Sequence, residues 1–309
     1  MEIPKSAGKV SLDSLSHIRA EPLTPQTRYS TDEALLYHEN IEGHRIDYLW
    51  RPNLEHRRLF VLFSGNAMRS RNDPPVFQRW SWASHFPGSC LYVSDPTLYL
   101  SRDIGLAWYS GTAKFDPLPF VAQRILDIAA QIGIARENIF SYGSSGGGFA
   151  ALRLAAITEG IGAISVNPQI QIRHYEMLGS TDRYTRTCFG NIDRIEASLR
   201  YPDRFDMLAH VDALRQRRVI YIQNTSDTHH FNIHYTPFCA SMGTSTDANT
   251  TEGLFRRLLF DDPGGHAKAE TPERVQGDHG HRHSGIRPRM KGFSQKSLAT
   301  EQRTSDDTP

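Results

Sequence analysis

Residues 138–156, NIFSYGSSGGGFAALRLAA, constrain this chain more than any other segment. A short apolar run stops at Gly143, and a run with one apolar face starts at Gly147, so a strand passes into a helix with almost no loop. The turn between them is Gly143-Ser144-Ser145-Gly146-Gly147. A G-x-S-x-G turn of this kind forces its central residue into a strained conformation, and small residues on either side relieve the crowding. The Ser145 hydroxyl is then held out above the sheet at a helix N-terminus. The Gly146 N–H that comes next is set to donate to an oxyanion. Ser144 is the rival hydroxyl, but the glycine frame centres on Ser145. The alternative is a phosphate-cradling or plain tight turn, and the strand–helix context weighs against it.

The rest of the chain fits around that junction. Short apolar runs at 58–63, 89–93, 138–142, 161–166, 218–222 and 254–260 lack polar alternation, as strands covered on both faces do. Residues 37–50 predict two strands about Glu42-Gly43. Val121, Ile125, Ile128, Ala129 and Ile132 share a helical face, with Gly133 as a stop. Phe149, Leu152, Ala155 and Ala156 do the same after the serine turn. Alternation of this sort predicts an α/β fold, a mostly parallel sheet with helices on both sides. Reactive groups then gather at the carboxyl ends of the strands.

These motifs resemble those of the α/β-hydrolase superfamily, over roughly residues 35–272. The resemblance rests on the elbow YGSSGGG and on the chain order of the acid and histidine candidates downstream of it. Family members carry nucleophile, acid and histidine in that order. It implies an α/β-hydrolase-type sheet, Asp227 as the acid after the strand 218–222, and His266 in the Gly-Gly-His loop after the last strand. Rival acids are Asp95, Asp203 and Asp212. Rival histidines are His229, His230 and His234, of which one is expected beside Asp227 against substrate, His230 being the choice. The family's second oxyanion donor comes from the loop after an early strand, here the backbone N–H of Asn66, with Gly65 leaving room for close approach. The implied activity is a serine hydrolase cleaving a carboxylic ester through an acyl-enzyme. Two alternatives stand beside it: an O-acyltransferase acting on a glycan or glycoconjugate, and a non-catalytic hydrolase-like binding protein.

Residues 169–216 are too long for a plain crossover and are expected to form a lid or specificity insert. Tyr175, Tyr184 and Phe189 are candidates to line it, and Arg173, Arg183 and Arg186 to meet an anionic or carbohydrate-linked group. Trp108 and Tyr109 are candidates to stack on a sugar, against the plainer expectation of core packing. The domain itself is expected over 34–275, with a polar, partly disordered lead-in over 1–33 and a disordered tail over 276–309. His279, His281 and His283 in that tail receive no function.

The 309 residues hold 35 Lys+Arg and 34 Asp+Glu, a net charge of +1, which gives no bulk attraction to nucleic acid. Hydrophobic residues at 39% suffice for a core. No apolar run approaches the roughly 20 residues of a membrane span, and the N-terminal stretch does not read as a secretory signal. A cytoplasmic protein is the expectation. Cys90, Cys188 and Cys239 are odd in number and widely spaced, so neither a disulfide framework nor a zinc pattern is expected. No cofactor or metal is called for, and the partner is a small-molecule or glycan-linked ester. Oligomeric state is not legible.

Overall fold

The computed structural model describes residues 15, 18–24, 26–247 and 251–271. The expected tail over 276–309, with its three histidines, lies outside the described residues. Ten strands make one sheet: β1 (Ala20–Pro22), β2 (Leu35–Ile41), β3 (His44–Arg51), β4 (Leu59–Phe63), β5 (Ser89–Val93), β6 (Ile139–Ser144), β7 (Gly162–Val166), β8 (Val219–Asn224), β9 (Thr251–Glu252) and β10 (Phe255–Phe260). Their spatial order is β1-β2-β3-β5-β4-β6-β7-β8-β10-β9. From β5 through β10 every neighbouring pair is parallel. The antiparallel pairs lie towards the edges, at β2–β3, β3–β5 and β9–β10.

The central strands β4, β5 and β7 are buried along their whole length, which is why their sequences show no alternation. Helix α1 (Pro117–Gln131) starts with Pro at its first position, and Asp116 caps it by accepting from Leu118 N. Helix α2 (Gly146–Ile157) follows β6 directly. Between β7 and β8 the chain forms α3 (Leu178–Cys188), α4 (Arg194–Arg200), α5 (Pro202–Phe205) and α6 (Val211–Arg215); α7 (Thr236–Met242) follows β8. Apolar residues of α1, α2 and the insert build the larger core cluster on one face of the sheet. The other face is closed by a smaller cluster that includes Phe77, Trp82 and Phe86 around a 3-10 turn over Trp80–His85. Part of the lead-in docks as β1, parallel to β2 at the sheet edge.

This is a mostly parallel α/β sheet flanked by helices, with β4 out of sequence order between β5 and β6. The carboxyl ends of β4, β6, β7, β8 and β10 therefore open on one rim. No helix among the described residues is long and apolar enough to cross a membrane.

Candidate active site

Ser145 caps α2 at φ 54° and ψ −124°, a conformation L-residues rarely adopt. The flanking glycines make it possible. A Cβ on Gly143 would lie 2.3 Å from the Gly147 backbone, and one on Gly147 would lie 2.5 Å from the Phe63 carbonyl. The Ser145 N–H donates to Val166 O at 3.0 Å, which fastens the elbow to β7. Ser144 points elsewhere: its hydroxyl accepts from the Arg79 guanidinium.

The loop after β4 meets this serine from the side. Ser64 N–H donates to the Tyr109 hydroxyl, Gly65 N–H to Gln78 Oε1, Ala67 N–H to Gly105 O and Met68 N–H to Asn66 Oδ1. Among the described residues 64–68, the Asn66 N–H alone has no protein acceptor. The Gln78 amide clamps the loop on both sides of it, accepting from Gly65 N at 2.9 Å and donating to Asn66 O at 2.9 Å. A Cβ on Gly65 would stand 3.8 Å from Ser145 Cβ. At the start of α2, Gly146 offers a second N–H, since the first amides of a helix have no intrahelical acceptor.

Asp227 lies just beyond β8 and is 6% exposed. Its Oδ2 meets His266 Nδ1 at 2.7 Å and its Oδ1 meets His230 Nδ1 at 3.1 Å. Asn167 Nδ2, at the end of β7, donates to Oδ2 at 2.7 Å. Burial would push this carboxyl up, but the hydrogen bonds from His230 and His266 outweigh it and hold Asp227 well below the usual carboxylate range. A carboxylate only accepts, so both imidazoles carry their proton on Nδ1. That leaves His266 Nε2 as a lone pair, which is what a general base needs.

His266 sits in a 3-10 turn over Gly265–Lys268, and its side chain is 43% exposed. Asn224 Nδ2 donates to the carbonyls of Asp262 and Gly265, both at 2.9 Å, and so ties this loop to the end of β8. Four residues on, Glu270 is paired with Arg79. Among the described residues no hydrogen bond joins the His266 ring to Ser145 Oγ. That hydroxyl accepts instead from Gln169 Nε2 at 3.2 Å.

The rival acids stand apart. Asp95 caps a 3-10 turn and accepts from Thr97 N and Tyr109 N. Asp212 pairs with Arg215 on the surface, and Asp203 contributes its carbonyl to Arg153 and His210. His229 reaches the His174 carbonyl, and His234 Nδ1 accepts from Ile170 N. His230 lies beside Asp227, but it is 2% exposed and stacked on His266, with centroids 4.2 Å apart and planes 17° apart. It does not offer an open face to a substrate. The ligand atoms of Asp227, His230 and His266 lie close enough to hold a metal ion, but here both Nδ1 atoms are engaged with the Asp227 carboxylate itself.

Of the two readings of Trp108 and Tyr109, sugar stacking and the plainer core packing, the structure shows core packing. Trp108 and Tyr109 are fully buried. The Tyr109 hydroxyl donates to Val93 O at 2.7 Å, and the Trp108 indole donates to Gln169. Tyr184 and Phe189 pack in the core of the insert, and Tyr175 edges onto Trp108. Arg183 and Arg186 are exposed, and Arg173 meets His174. Sequence reasoning misses Gln78, Arg79, Asn167, Gln169, Asn224 and Glu270. Asn167, Gln169 and Asn224 carry one usable signal, their place at the carboxyl ends of β7 and β8.

No protein-family model matches the sequence, and no curated protein matches it. Solved structures do. The capsule O-acetyltransferase of Neisseria meningitidis serogroup A aligns with a TM-score of 0.53 at 16% identity, over 80% of this chain and 92% of that one. An S-formylglutathione hydrolase from Agrobacterium tumefaciens aligns at 0.51 and 13% identity, over 82% and 94%. A 2,6-dihydroxy-pseudo-oxynicotine hydrolase aligns at 0.53 and 12%, over 77% and 63%. The fold is thus α/β-hydrolase-like.

Proposed function

We propose that this chain is a serine-dependent acyl-handling enzyme, with cleavage of a carboxylic ester as its reaction. Ser145 attacks the acyl carbon, and its proton passes to His266 Nε2. Asp227 holds the imidazole in the tautomer that can take that proton and stabilises the imidazolium. The backbone N–H groups of Asn66 and Gly146 hold the oxyanion, where one such donor contributes about 3 kcal/mol to the transition state. His266 then protonates the departing alcohol, and water releases the acyl group.

The observation that carries this reading is the strained Ser145 at φ 54° on the rim where the Asp227–His266 pair, 2.7 Å apart, also stands. The contact between His266 and Ser145 is completed when substrate binds, as catalytic hydrogen bonds often tighten only in the substrate complex. A fluorophosphonate probe is expected to label Ser145, and Ser145→Ala to abolish both labelling and cleavage of short-chain nitrophenyl esters. Undiminished labelling and turnover in that variant would end the assignment.

A second reading keeps the acyl-enzyme but hands the acyl group to a sugar hydroxyl. It is favoured by the capsule O-acetyltransferase, which matches along nearly its whole length. Product analysis with an acyl donor, with and without candidate glycans, separates the two. On either reading residues 169–216 act as a cap over the rim, and residues 34–275 as the catalytic domain.

A further inference from the structure

Ser145 Oγ stands at the end of a buried relay that the acyl-enzyme reading does not itself require. Gln169 and Trp108 are both fully buried. The Trp108 indole N–H donates to Gln169 Oε1, and Gln169 Nε2 lies 3.2 Å from Ser145 Oγ. An indole N–H can only donate. Trp108 therefore fixes which end of the amide faces which way, and the end towards Ser145 is the NH2. The serine oxygen is the acceptor in this bond, and its own proton stays available to a base. The Gln169 backbone N–H adds a second tie, donating to Ser145 O at 3.2 Å. The indole is itself wedged between Tyr175 and Tyr184, with ring centroids 5.4 and 5.8 Å away.

We propose that Gln169 is a catalytic residue for breakdown of the acyl-enzyme, donating to Ser145 Oγ as that oxygen departs, with Trp108 as its positioning residue. This rests on the acyl-enzyme reading above. In the first half-reaction Ser145 Oγ bonds to the acyl carbon while its proton passes to His266 and then to the departing alcohol oxygen. In the second, a water oxygen bonds to the acyl carbon and gives a proton to His266. The bond between acyl carbon and Oγ breaks, its electron pair returns to Oγ, and His266 returns the proton there. In the acyl-enzyme Oγ is an ester oxygen, a weak acceptor that gains charge as its bond to carbon breaks, so an N–H aimed at it is worth more in that transition state than in the acyl-enzyme. In the first half Oγ starts as a hydroxyl that already accepts this bond, so the donor stabilises the ground state as well and brings little net gain.

The test uses p-nitrophenyl acetate, whose early nitrophenolate release reports acylation and whose steady state reports breakdown. Gln169→Met keeps the length and removes the donor. It is expected to leave the acylation rate within about twofold of wild type while the steady-state rate falls about tenfold. The acetyl adduct on intact protein rises accordingly. Gln169→Glu keeps an acceptor for Trp108 but, when ionised, turns a second acceptor on Ser145. Its protonated form restores the donor, so its deficit relative to wild type shrinks as pH falls, which lost packing alone would not produce. Trp108→Phe removes the indole N–H and is expected to show the same split, more weakly. If acylation and breakdown fall together in both Gln169 variants, or neither changes, the role of Gln169 is overturned. A wild-type protein that neither forms the adduct nor takes the fluorophosphonate removes the acyl-enzyme reading itself, and this inference with it.

Discussion

Glu270 offers a way to separate what holds the fold from what holds the site. Its carboxylate is paired side-on with Arg79, Nε to Oε1 at 2.8 Å and Nη2 to Oε2 at 2.5 Å. Tyr142 donates to the same Oε1 at 2.7 Å. The two charged side chains are 5% and 12% exposed. Burial opposes the charge on each, but the pairing outweighs it, holding Glu270 below and Arg79 above their ordinary values. Glu270→Ala would leave a guanidinium buried with only the Phe63 carbonyl and the Ser144 hydroxyl to meet it. Stranding one charge of such a pair costs about 3–5 kcal/mol, which for a chain of this size is a drop of roughly 10 °C in Tm. Replacing both partners together, Arg79→Met with Glu270→Met, removes the stranded charge and should recover most of that stability. It should not recover turnover, because the loop carrying His266 has lost its anchor four residues downstream. Urea unfolding and ester hydrolysis on the wild type and both variants make the comparison. A Glu270→Ala protein destabilised by less than about 1 kcal/mol would refute the energetic argument. A stable double variant with wild-type turnover would refute the anchoring.

Three further outcomes rest on the same geometry. Asp227→Asn leaves one acceptor oxygen for His230, His266 and Asn167, and kcat is expected to fall about 10³–10⁴-fold with little change in KM; a loss under tenfold would mean another carboxylate serves the imidazole. Gln78→Met opens the clamp about the Asn66 amide, so kcat/KM should drop about tenfold with the fold intact, as read from hydrolysis beside a thermal melt. His234 is buried, and that burial, aided by the neighbouring His230, holds its pKa down to about 2 against 6.5 in the free side chain. Below pH 6.5 the unfolded chain binds a proton that the folded chain refuses, so His234 lowers stability by about 1.4 kcal/mol for each unit of falling pH. His234→Asn, whose carbonyl still accepts from Ile170 N, should remove about one proton from that slope in urea midpoints taken across pH 5 to 7.

Six strands were legible to within a residue or two; for β4 to β7 the reason is burial on both faces, which leaves a short, mostly apolar run, whereas β8 and β10 are only part-buried. Helix α1 begins at Pro117, four residues before Val121, the first residue of its apolar face, because Asp116 and Pro117 set the start. The three-residue β1 has no apolar run and forms only because β2 offers it an edge. The position of β4 between β5 and β6 is a long-range fact with no local period. For Trp108 and Tyr109 core packing was the plainer expectation and sugar stacking the alternative, and both are wholly covered. Most opaque were the polar residues. Gln78 and Arg79 are buried and satisfied by partners elsewhere in the chain, and in sequence they are indistinguishable from residues of an exposed loop; Asn167 and Asn224 had only their place at strand ends to mark them.

Nine non-glycine residues among those described have positive φ, and five of them bear on the rim. Ser145 is the proposed nucleophile, Asn167 donates to Asp227, Trp108 donates to Gln169, Tyr109 accepts from Ser64 N–H, and Arg79 pairs with Glu270. Such conformations cost about 1–3 kcal/mol each and persist where their surroundings over-determine them. Here each is tied by hydrogen bonds to an element other than its own. At Ser145 the cost can be read directly. Ser145→Ala and Ser145→Gly both remove the hydroxyl, but only glycine adopts φ 54° without a Cβ clash. If the elbow is strained, the glycine variant is the more stable of the two by about 1 kcal/mol, even after the roughly 0.5–1 kcal/mol that glycine loses through its unfolded-state freedom. Both are expected to be inactive. Urea midpoints decide it: an alanine variant as stable as the glycine one would mean that the turn holds Ser145 at no cost, and that the hydroxyl is presented by ordinary loop geometry rather than by a bend forced on the chain where β6 meets α2.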